Sequence, residues 1–184
     1  MKKLLFTFVC LFGAMSLFAG NPVSVKSGDV SVLKDVTTAL LELDFSNATV
    51  EGKTIDEYLE SRGSDFVRDF PQDKEYSALM FAAQYNKKNK GLHVATDVSD
   101  AVLKFVIHVD KLDYGNAHGQ FMPFASAKSG GCIISGTIDI IDLKTNEIVL
   151  TLSIDEVKGL ANVSDKIRLG LCFFELGSSV AKVK

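Results

Sequence analysis

The stretch that decides the fold is CIISGTIDIID (residues 132–142), followed by LKTN (143–146) and EIVLTLSIDEV (147–157). Apolar and polar side chains alternate through the first and third segments, which is typical of strands that bury one face. The polar turn between them predicts an antiparallel hairpin. Gly136 lies inside the first strand and predicts a bulge or a close backbone approach. The predicted buried face contains Ile134, Ile138, Ile140, Ile148, Leu150, Leu152 and Ile154.

Two further segments alternate in the same way. Residues 36–45 place Ala39, Leu41, Leu43 and Phe45 on one face and Thr38, Glu42 and Asp44 on the other. Residues 101–112 predict a second such strand, and residues 92–95 allow a short one.

Three segments have the pattern of helices. Thr54 and Glu57 form a capping box, and Gly63 and Pro71 are predicted to end that first helix. A second helix is predicted over residues 72–89. Ser164 is predicted to cap a terminal helix. The apolar residues of this helix cover more of its circumference than one amphipathic stripe, so it is either buried within the monomer or part of a homo-oligomer interface.

The order of these elements predicts an α+β fold. Strands with one apolar face need helices on that face only. We therefore expect a two-layer sandwich, in which a mixed or antiparallel sheet of four to five strands has helices packed on one face. Residues 36–184 form a single α+β domain in this interpretation, and residues 20–35 are an N-terminal lead-in that can add one short strand.

Residues 1–19 are predicted to be a cleaved signal peptide. Lys2 and Lys3 precede the apolar residues 4–18, and Ala19 is a small residue suited to signal peptidase. A retained membrane anchor is the alternative, but a span needs about 20 apolar residues. Cys10 follows Thr7-Phe8-Val9 rather than the small residues of a lipidation site, so we expect a periplasmic or secreted protein that is not a lipoprotein and has no transmembrane segment after cleavage.

The net charge of the chain argues against nucleic acid as a partner. The formal charge is −3, and removal of Lys2 and Lys3 with the leader changes it to −5. Binding to phosphates requires clustered Lys and Arg. We therefore predict no nucleic-acid partner.

No motif in the chain indicates catalysis. His-Glu-x-x-His, Gly-x-Ser-x-Gly and a glycine-rich phosphate loop are all absent, so we predict no enzymatic activity, no cofactor and no metal site. The best polar group lies on the open sheet face and consists of His108, Asp110, Asp139 and Asp155. These residues could hold a hard cation or an acid–base pair, and an ordinary water-facing sheet surface is the alternative.

The segment of residues 113–131 lacks a clear secondary-structure pattern. Loops longer than about 12–15 residues are commonly functional or disordered. The segment contains His118, Phe121, Met122 and Phe124, which we interpret as a partner-binding cluster; the alternative is that the aromatic rings fold back onto the domain.

Two cysteines remain after the leader. Cys132 shares the predicted buried parity of Ile134, and Cys172 lies on the helix expected to pack there. A Cys132–Cys172 disulfide fits this arrangement, and two buried thiols are the alternative.

Three segments carry a resemblance to a known group of proteins: residues 41–46 (LELDFS), 99–103 (SDAVL) and 136–149 (GTIDIIDLKTNEIV). Together with the capped final helix they resemble envelope proteins with an anticodon-binding-like αβ fold, such as the curli secretion channel family and the TolB amino-terminal domain. The chain departs from the curli channel because it lacks the lipidation cysteine and has loops too short for membrane-crossing strands.

The resemblance implies a non-catalytic binding or assembly module of the bacterial cell envelope, with an envelope protein or a second copy as its partner. The alternative is a small-molecule-binding protein or an unfamiliar enzyme that uses the His108/Asp110 face. A third interpretation is a structural subunit that oligomerises through the last helix.

Overall fold

The computed structural model describes residues 20–115, 130–162 and 164–183. They form eight strands, three α-helices and one short 3-10 helix, Val30–Leu33. The strands are β1 (Val23–Gly28), β2 (Thr38–Asp44), β3 (Thr49–Val50), β4 (Lys53–Thr54), β5 (His93–Ala95), β6 (Leu103–Asp113), β7 (Gly131–Asp142) and β8 (Glu147–Ala161). The helices are α1 (Ile55–Arg62), α2 (Ser64–Lys88) and α3 (Asp165–Val180). The predicted leader, residues 1–19, lies outside the described residues.

All eight strands belong to one mixed sheet. Its main path has the order β1-β8-β7-β6-β2-β5, and β3 pairs with β4 and β6. Strand β2 runs parallel to β5 and β6, while β6, β7, β8 and β1 pair antiparallel. The α+β class and the mixed sheet are confirmed, but the predicted count of four to five strands is too low. Strand β5 lies within the short strand allowed at residues 92–95, and β1 lies within the lead-in that could add one strand. The strands that the sequence did not predict are β3 and β4, which have two residues each and are too short to show a periodicity.

The hairpin β7–β8 lies inside the sheet, between β1 and β6. Its buried face is confirmed for Ile134, Ile138, Ile140, Leu150, Leu152 and Ile154, which are all at most 3% exposed. The prediction was wrong for Ile148, which is 58% exposed because it lies next to the turn at the hairpin tip. Gly136 lies beside a bulge in β6, and a Cβ at this position would meet the His108 carbonyl oxygen at 2.0 Å, so the predicted close approach is confirmed.

Helices α2 and α3 pack against the apolar face of this sheet. The Tyr85 ring of α2 contacts Phe105 of β6 at 6.0 Å between centroids, and the Phe173 ring of α3 contacts Phe45 at the same distance. Leu169, Phe173 and Leu176 are fully buried, so packing within the monomer accounts for the broad apolar surface of α3. Ser164 caps α3 through the Ile167 amide, as predicted.

The start and end of α1 agree with the prediction, but the start of α2 does not. Thr54 and Glu57 form the predicted capping box, and α1 ends at Gly63, whose φ is 116°. Pro71 does not end a helix: it lies inside α2, which begins at Ser64 rather than near residue 72. Phe66 and Phe70 pack on the core, and this contact stabilises the two turns that precede the proline.

Each edge of the sheet is modified in a way that opposes strand addition. At one edge, the Asn86 side chain donates to the Val94 carbonyl and accepts from the Val94 amide, both at 2.8 Å, so it takes the place of a neighbouring strand. At the other edge, the pairing of β1 with β8 shifts at Lys26. A bulge and a lysine both disfavour edge-to-edge pairing. No described helix is long and apolar enough to cross a membrane.

Candidate partner-binding face

The sheet side chains that point away from α2 and α3 form a regular grid, which we call the polar face. One row runs across the strands as Asp44, His108, Thr137 and Ser153, and the next as Glu42, Val106, Asp139 and Thr151. Because side chains alternate along a strand, the neighbours of these residues on each strand point into the core.

His108 lies between two carboxylates on the polar face. Its Nδ1 is 2.9 Å from Asp44 Oδ2 on β2, and its Nε2 is 3.3 Å from Asp139 Oδ2 on β7. All three side chains are partly exposed, at 20–30%. An imidazole that carries both N–H groups can donate to both carboxylates, whereas a neutral ring can donate to one.

Each carboxylate of this triad has a further partner. The Ser46 backbone amide donates to Asp44 Oδ1 at 2.9 Å, and this bond is the largest cause of the lowered pKa of Asp44; His108 lowers that pKa further. The Thr151 hydroxyl donates to Asp139 Oδ1 at 2.7 Å. Hydrogen bonds to the ionised form therefore stabilise Asp44 as a carboxylate.

A second ion pair lies one row away. Lys104 Nζ on β6 is 3.0 Å from Glu42 Oε2 on β2. Val106, the cross-strand partner of Glu42, is only 6% exposed although it belongs to the polar face. The charged groups of the polar face thus pair with one another across the strands.

The structure brings together two of the four residues predicted for the open face. His108 and Asp139 are in contact, but no described hydrogen bond or ion pair joins either of them to Asp110 or Asp155. Asp110 is exposed at the bulge of β6, and Asp155 is exposed where its amide donates to the Pro22 carbonyl. Asp110 is the unpaired residue of the bulge between Val109 and Lys111. A site that uses His108 and Asp110 together stays a prediction.

Asp44 is the residue that sequence reasoning missed as a partner of His108. The alternation in residues 36–45 predicted its orientation on the open face. The pairing with His108 depends on the parallel register of β2 and β6, whose paired residues are 64 positions apart. No pattern among neighbouring residues of the sequence predicts such a register.

The described residues contain no group of three or more His, Cys, Asp and Glu that could hold a metal ion. The geometry of the triad explains this for the polar face, because the two imidazole nitrogens point toward carboxylates on opposite sides of the ring. Such ligands do not converge on one ion.

The described residues form grooves, of which two are considered for the site. The larger, of about 640 Å³, lies between α2 and the start of α3 and is lined by Arg62, Asp65, Phe66, Asp69, Gln72, Asp73, Ser164, Asp165 and Lys166. The smaller, of about 470 Å³, is lined by Asp44, Phe45, Ser46, Ile55, Asp56, Phe70, Pro71 and Lys74. Only Asp44 belongs to both a groove and the polar face.

The other predicted site residues have different outcomes. His118, Phe121, Met122 and Phe124 lie outside the described residues, so the predicted partner-binding cluster stays a prediction. Cys132 and Cys172 are both buried and both free thiols in the structure. Burial raises the pKa of the Cys132 thiol, and its neighbour Cys172 raises it further.

Comparison with known proteins gives only distant likenesses. No family model matches the chain, and no curated protein matches it. The chain is similar in structure to a PelC dodecamer from Paraburkholderia phytofirmans, with a TM-score of 0.45 and 12% identity over 85% of this chain and 96% of that chain. It is also similar to a single-substitution variant of that dodecamer, with a TM-score of 0.41 and 10% identity over 88% of this chain and 97% of that chain. At these values the likeness carries no argument about function.

Proposed function

We propose that this chain is a non-catalytic binding or assembly module of the bacterial cell envelope, secreted to the periplasm or beyond, and that it binds a protein partner through the polar face. In this proposal the fold is a two-layer sandwich, in which the helical layer supports the sheet and the opposite side of the sheet is the working surface. The partner is an envelope protein or a second copy of the chain.

The observation that carries the proposal is the pairing within the polar face. His108, Asp44, Asp139, Glu42 and Lys104 satisfy one another across three strands. A catalytic histidine needs one ring nitrogen free to exchange a proton with a substrate atom, whereas both nitrogens of His108 face carboxylates. Side chains that are already held in place form a rigid surface, which favours binding because little side-chain freedom is lost on association.

The blocked edges of the sheet also favour the polar face as the binding surface. Asn86 occupies the hydrogen-bonding groups of Val94 at the β5 edge, and β1 carries a bulge at Lys26. A partner that added a strand would need an open edge. The face of the sheet is therefore the better candidate than either edge.

A capture experiment tests the proposal. Tagged protein and its Thr137→Arg variant are used to capture partners from an envelope extract of the cells that make the protein. Thr137 lies in the middle of the polar face and makes none of its ion pairs, so the arginine adds bulk and charge there and removes no member of the triad. Leu79→Arg on α2 is the matched control, since Leu79 is 53% exposed and the substitution changes the charge equally.

The proposal predicts a partner that the wild-type chain and Leu79→Arg recover equally and that Thr137→Arg recovers at least about tenfold less, the loss expected when roughly 1.4 kcal/mol of binding is removed. A partner lost only with Leu79→Arg would place binding on the helices and contradict the proposal.

The alternative function is small-molecule binding or an unfamiliar activity at the same place. The observation in its favour is the 470 Å³ groove that reaches Asp44, the partner of His108. A small-molecule screen by thermal shift distinguishes the two, because a ligand of this groove would raise the melting temperature of wild-type protein and not that of Lys74→Ala, whose ammonium lies over the Phe45 ring.

A further inference from the structure

Two buried thiols meet where α3 packs on the sheet. Cys132 is the second residue of β7 and Cys172 lies in the middle of α3, and both are 0% exposed. The Cys172 thiol donates to the Val157 carbonyl of β8 at 3.1 Å. Cys132 lies between the paired residues Gly131–Ala161 and Ile133–Lys158, and therefore opposite residues 159 and 160 of β8. These contacts place both sulfur atoms in the same part of the core.

The backbone leaves Cys172 little freedom to move away. Gly159 of β8 lies directly beneath it, and a Cβ at Gly159 would meet the Cys172 backbone nitrogen at 2.5 Å. The helix therefore lies on the strand backbone itself at this point. On the next strand, β7, a Cβ at Gly131 would clash with the Gly159 carbonyl oxygen, so the adjacent Cys132 lies beside the same point of the core.

We propose that Cys132 and Cys172 form a disulfide that fixes α3 to β7 when the chain folds in the presence of a disulfide oxidant, such as oxidised glutathione or a disulfide-bonded oxidoreductase. This inference goes beyond the proposed function, because neither cysteine belongs to the polar face. Its failure would leave partner binding at that face unaffected.

The chemistry is two thiol–disulfide exchanges. One cysteine loses its proton to water, and its thiolate attacks a sulfur of the oxidant, which breaks the oxidant's S–S bond and expels one oxidant thiolate. The second cysteine thiolate then attacks the first cysteine's sulfur in the mixed disulfide and expels the other oxidant thiolate. The two cysteines lose two protons and two electrons, and the oxidant is reduced to two thiols.

Burial determines when the bond forms. With α3 docked, both thiols are inaccessible, and a buried thiol forms little reactive thiolate. The first exchange therefore takes place before α3 docks, or when it transiently undocks. Reduced native protein is accordingly expected to oxidise more slowly than refolding protein.

Peptide mapping tests the pairing. The purified protein is denatured, reduced and refolded with reduced and oxidised glutathione, then alkylated under denaturing conditions, digested and analysed by mass spectrometry. We expect a linked peptide pair that contains Cys132 and Cys172, with a mass lower by two hydrogen atoms than the sum of the two reduced peptides. Alkylation of both cysteines, or glutathione on both, would overturn the proposal.

Two controls complete the experiment. In the Cys132→Ala variant and in the Cys172→Ala variant, the linked peptide pair must disappear, and the remaining cysteine must be alkylated or carry glutathione. The wild-type protein decides the pairing even when a variant does not fold. Native reduced protein in the same mixture is expected to form the pair at least about tenfold more slowly than refolding protein, since the closed core lowers the reactive fraction. Equal rates would contradict the order of events.

Discussion

At the scale of single residues, Arg168 shows how one buried charge joins three parts of this fold. It is 3% exposed at the start of α3, and its guanidinium donates to the Tyr114 carbonyl after β6 and to the Asn162 carbonyl after β8. Its third contact is the Asp165 carboxylate, which Arg62 of α1 also binds at 3.0 Å. The ends of two strands and two helices thus meet at one side chain.

Replacement of this guanidinium is expected to be costly. Arg168→Met leaves two backbone carbonyls without their donor in a buried place, so we expect the free energy of unfolding to fall by about 2–4 kcal/mol. Arg62→Gln removes the more exposed partner of the same carboxylate and is expected to cost less than about 1 kcal/mol. Urea unfolding of both variants measures the difference, and equal losses would show that burial does not decide the outcome.

Asp44 predicts a pH dependence of stability. Its folded-state pKa lies below the ordinary value of 3.8, first because of the Ser46 amide and then because of His108. A carboxyl with a depressed folded pKa contributes stability above its unfolded pKa and loses it as pH falls through the folded value.

Asp44→Asn is therefore expected to weaken the fall of unfolding free energy as the pH is lowered below about 4. Asp110→Asn is the matched control, because the described residues show no hydrogen bond or ion pair to the Asp110 carboxylate. Urea unfolding at a series of pH values measures both curves. An unchanged curve for Asp44→Asn, or an equal change in both variants, would contradict this account.

The sequence predicts which face of the sheet a side chain points to better than it predicts which residues that side chain contacts. The alternation rule placed Asp44, His108 and Asp139 on the open face, since the side-chain period of a strand is local information. The contact between Asp44 and His108 depends on a register set by β2 and β6 across 64 residues, and the bulge that separates Asp110 depends on the backbone approach at Gly136. Neither of these is encoded in a short window.

At the scale of elements, the close packing of α2 and α3 depends on Gly177. A Cβ at this position would meet the Phe81 carbonyl oxygen of α2 at 2.5 Å, which is a contact with backbone. Gly170, two turns earlier, would place its Cβ 2.3 Å from the Tyr76 ring, which is a side chain that can rotate.

Substitution by alanine is expected to affect stability differently at these two glycines. In an exposed helix, Gly→Ala stabilises by about 1 kcal/mol. Gly177→Ala is instead expected to destabilise by roughly 1–3 kcal/mol, because the two helices must move apart. Gly170→Ala is expected to cost less, since Tyr76 can turn away. Thermal unfolding of the two variants ranks them, and a Gly177→Ala variant more stable than wild type would refute the close approach.

Element boundaries were predictable where local chemistry defines them. The capping box of α1, the Ser164 cap of α3 and the β7–β8 hairpin follow from residues a few positions apart. The start of α2 did not follow, because Pro71 reads as a helix end while the packing of Phe66 and Phe70 on the core stabilises the preceding turns. The short strands β3, β4 and β5 exist only through their pairing with neighbours.

At the scale of the whole molecule, the two sides of the sheet have different tasks in this account. The apolar side is closed by α2 and α3, whose aromatic rings contact Phe105 and Phe45. The other side presents side chains that pair among themselves, between edges that Asn86 and the bulge at Lys26 block. We therefore expect this polar face to bind a partner.

Photocrosslinking in the cells that make the protein tests this claim most directly. A photoreactive residue is introduced at Thr137 or Thr151 on the polar face, and at Glu75 or Leu79 on the exposed side of α2 as controls. The account predicts a discrete crosslinked product, to an envelope protein or to a second copy, from the polar-face positions and none from the α2 positions. Products from α2 alone, or no product from either polar-face position, would contradict it.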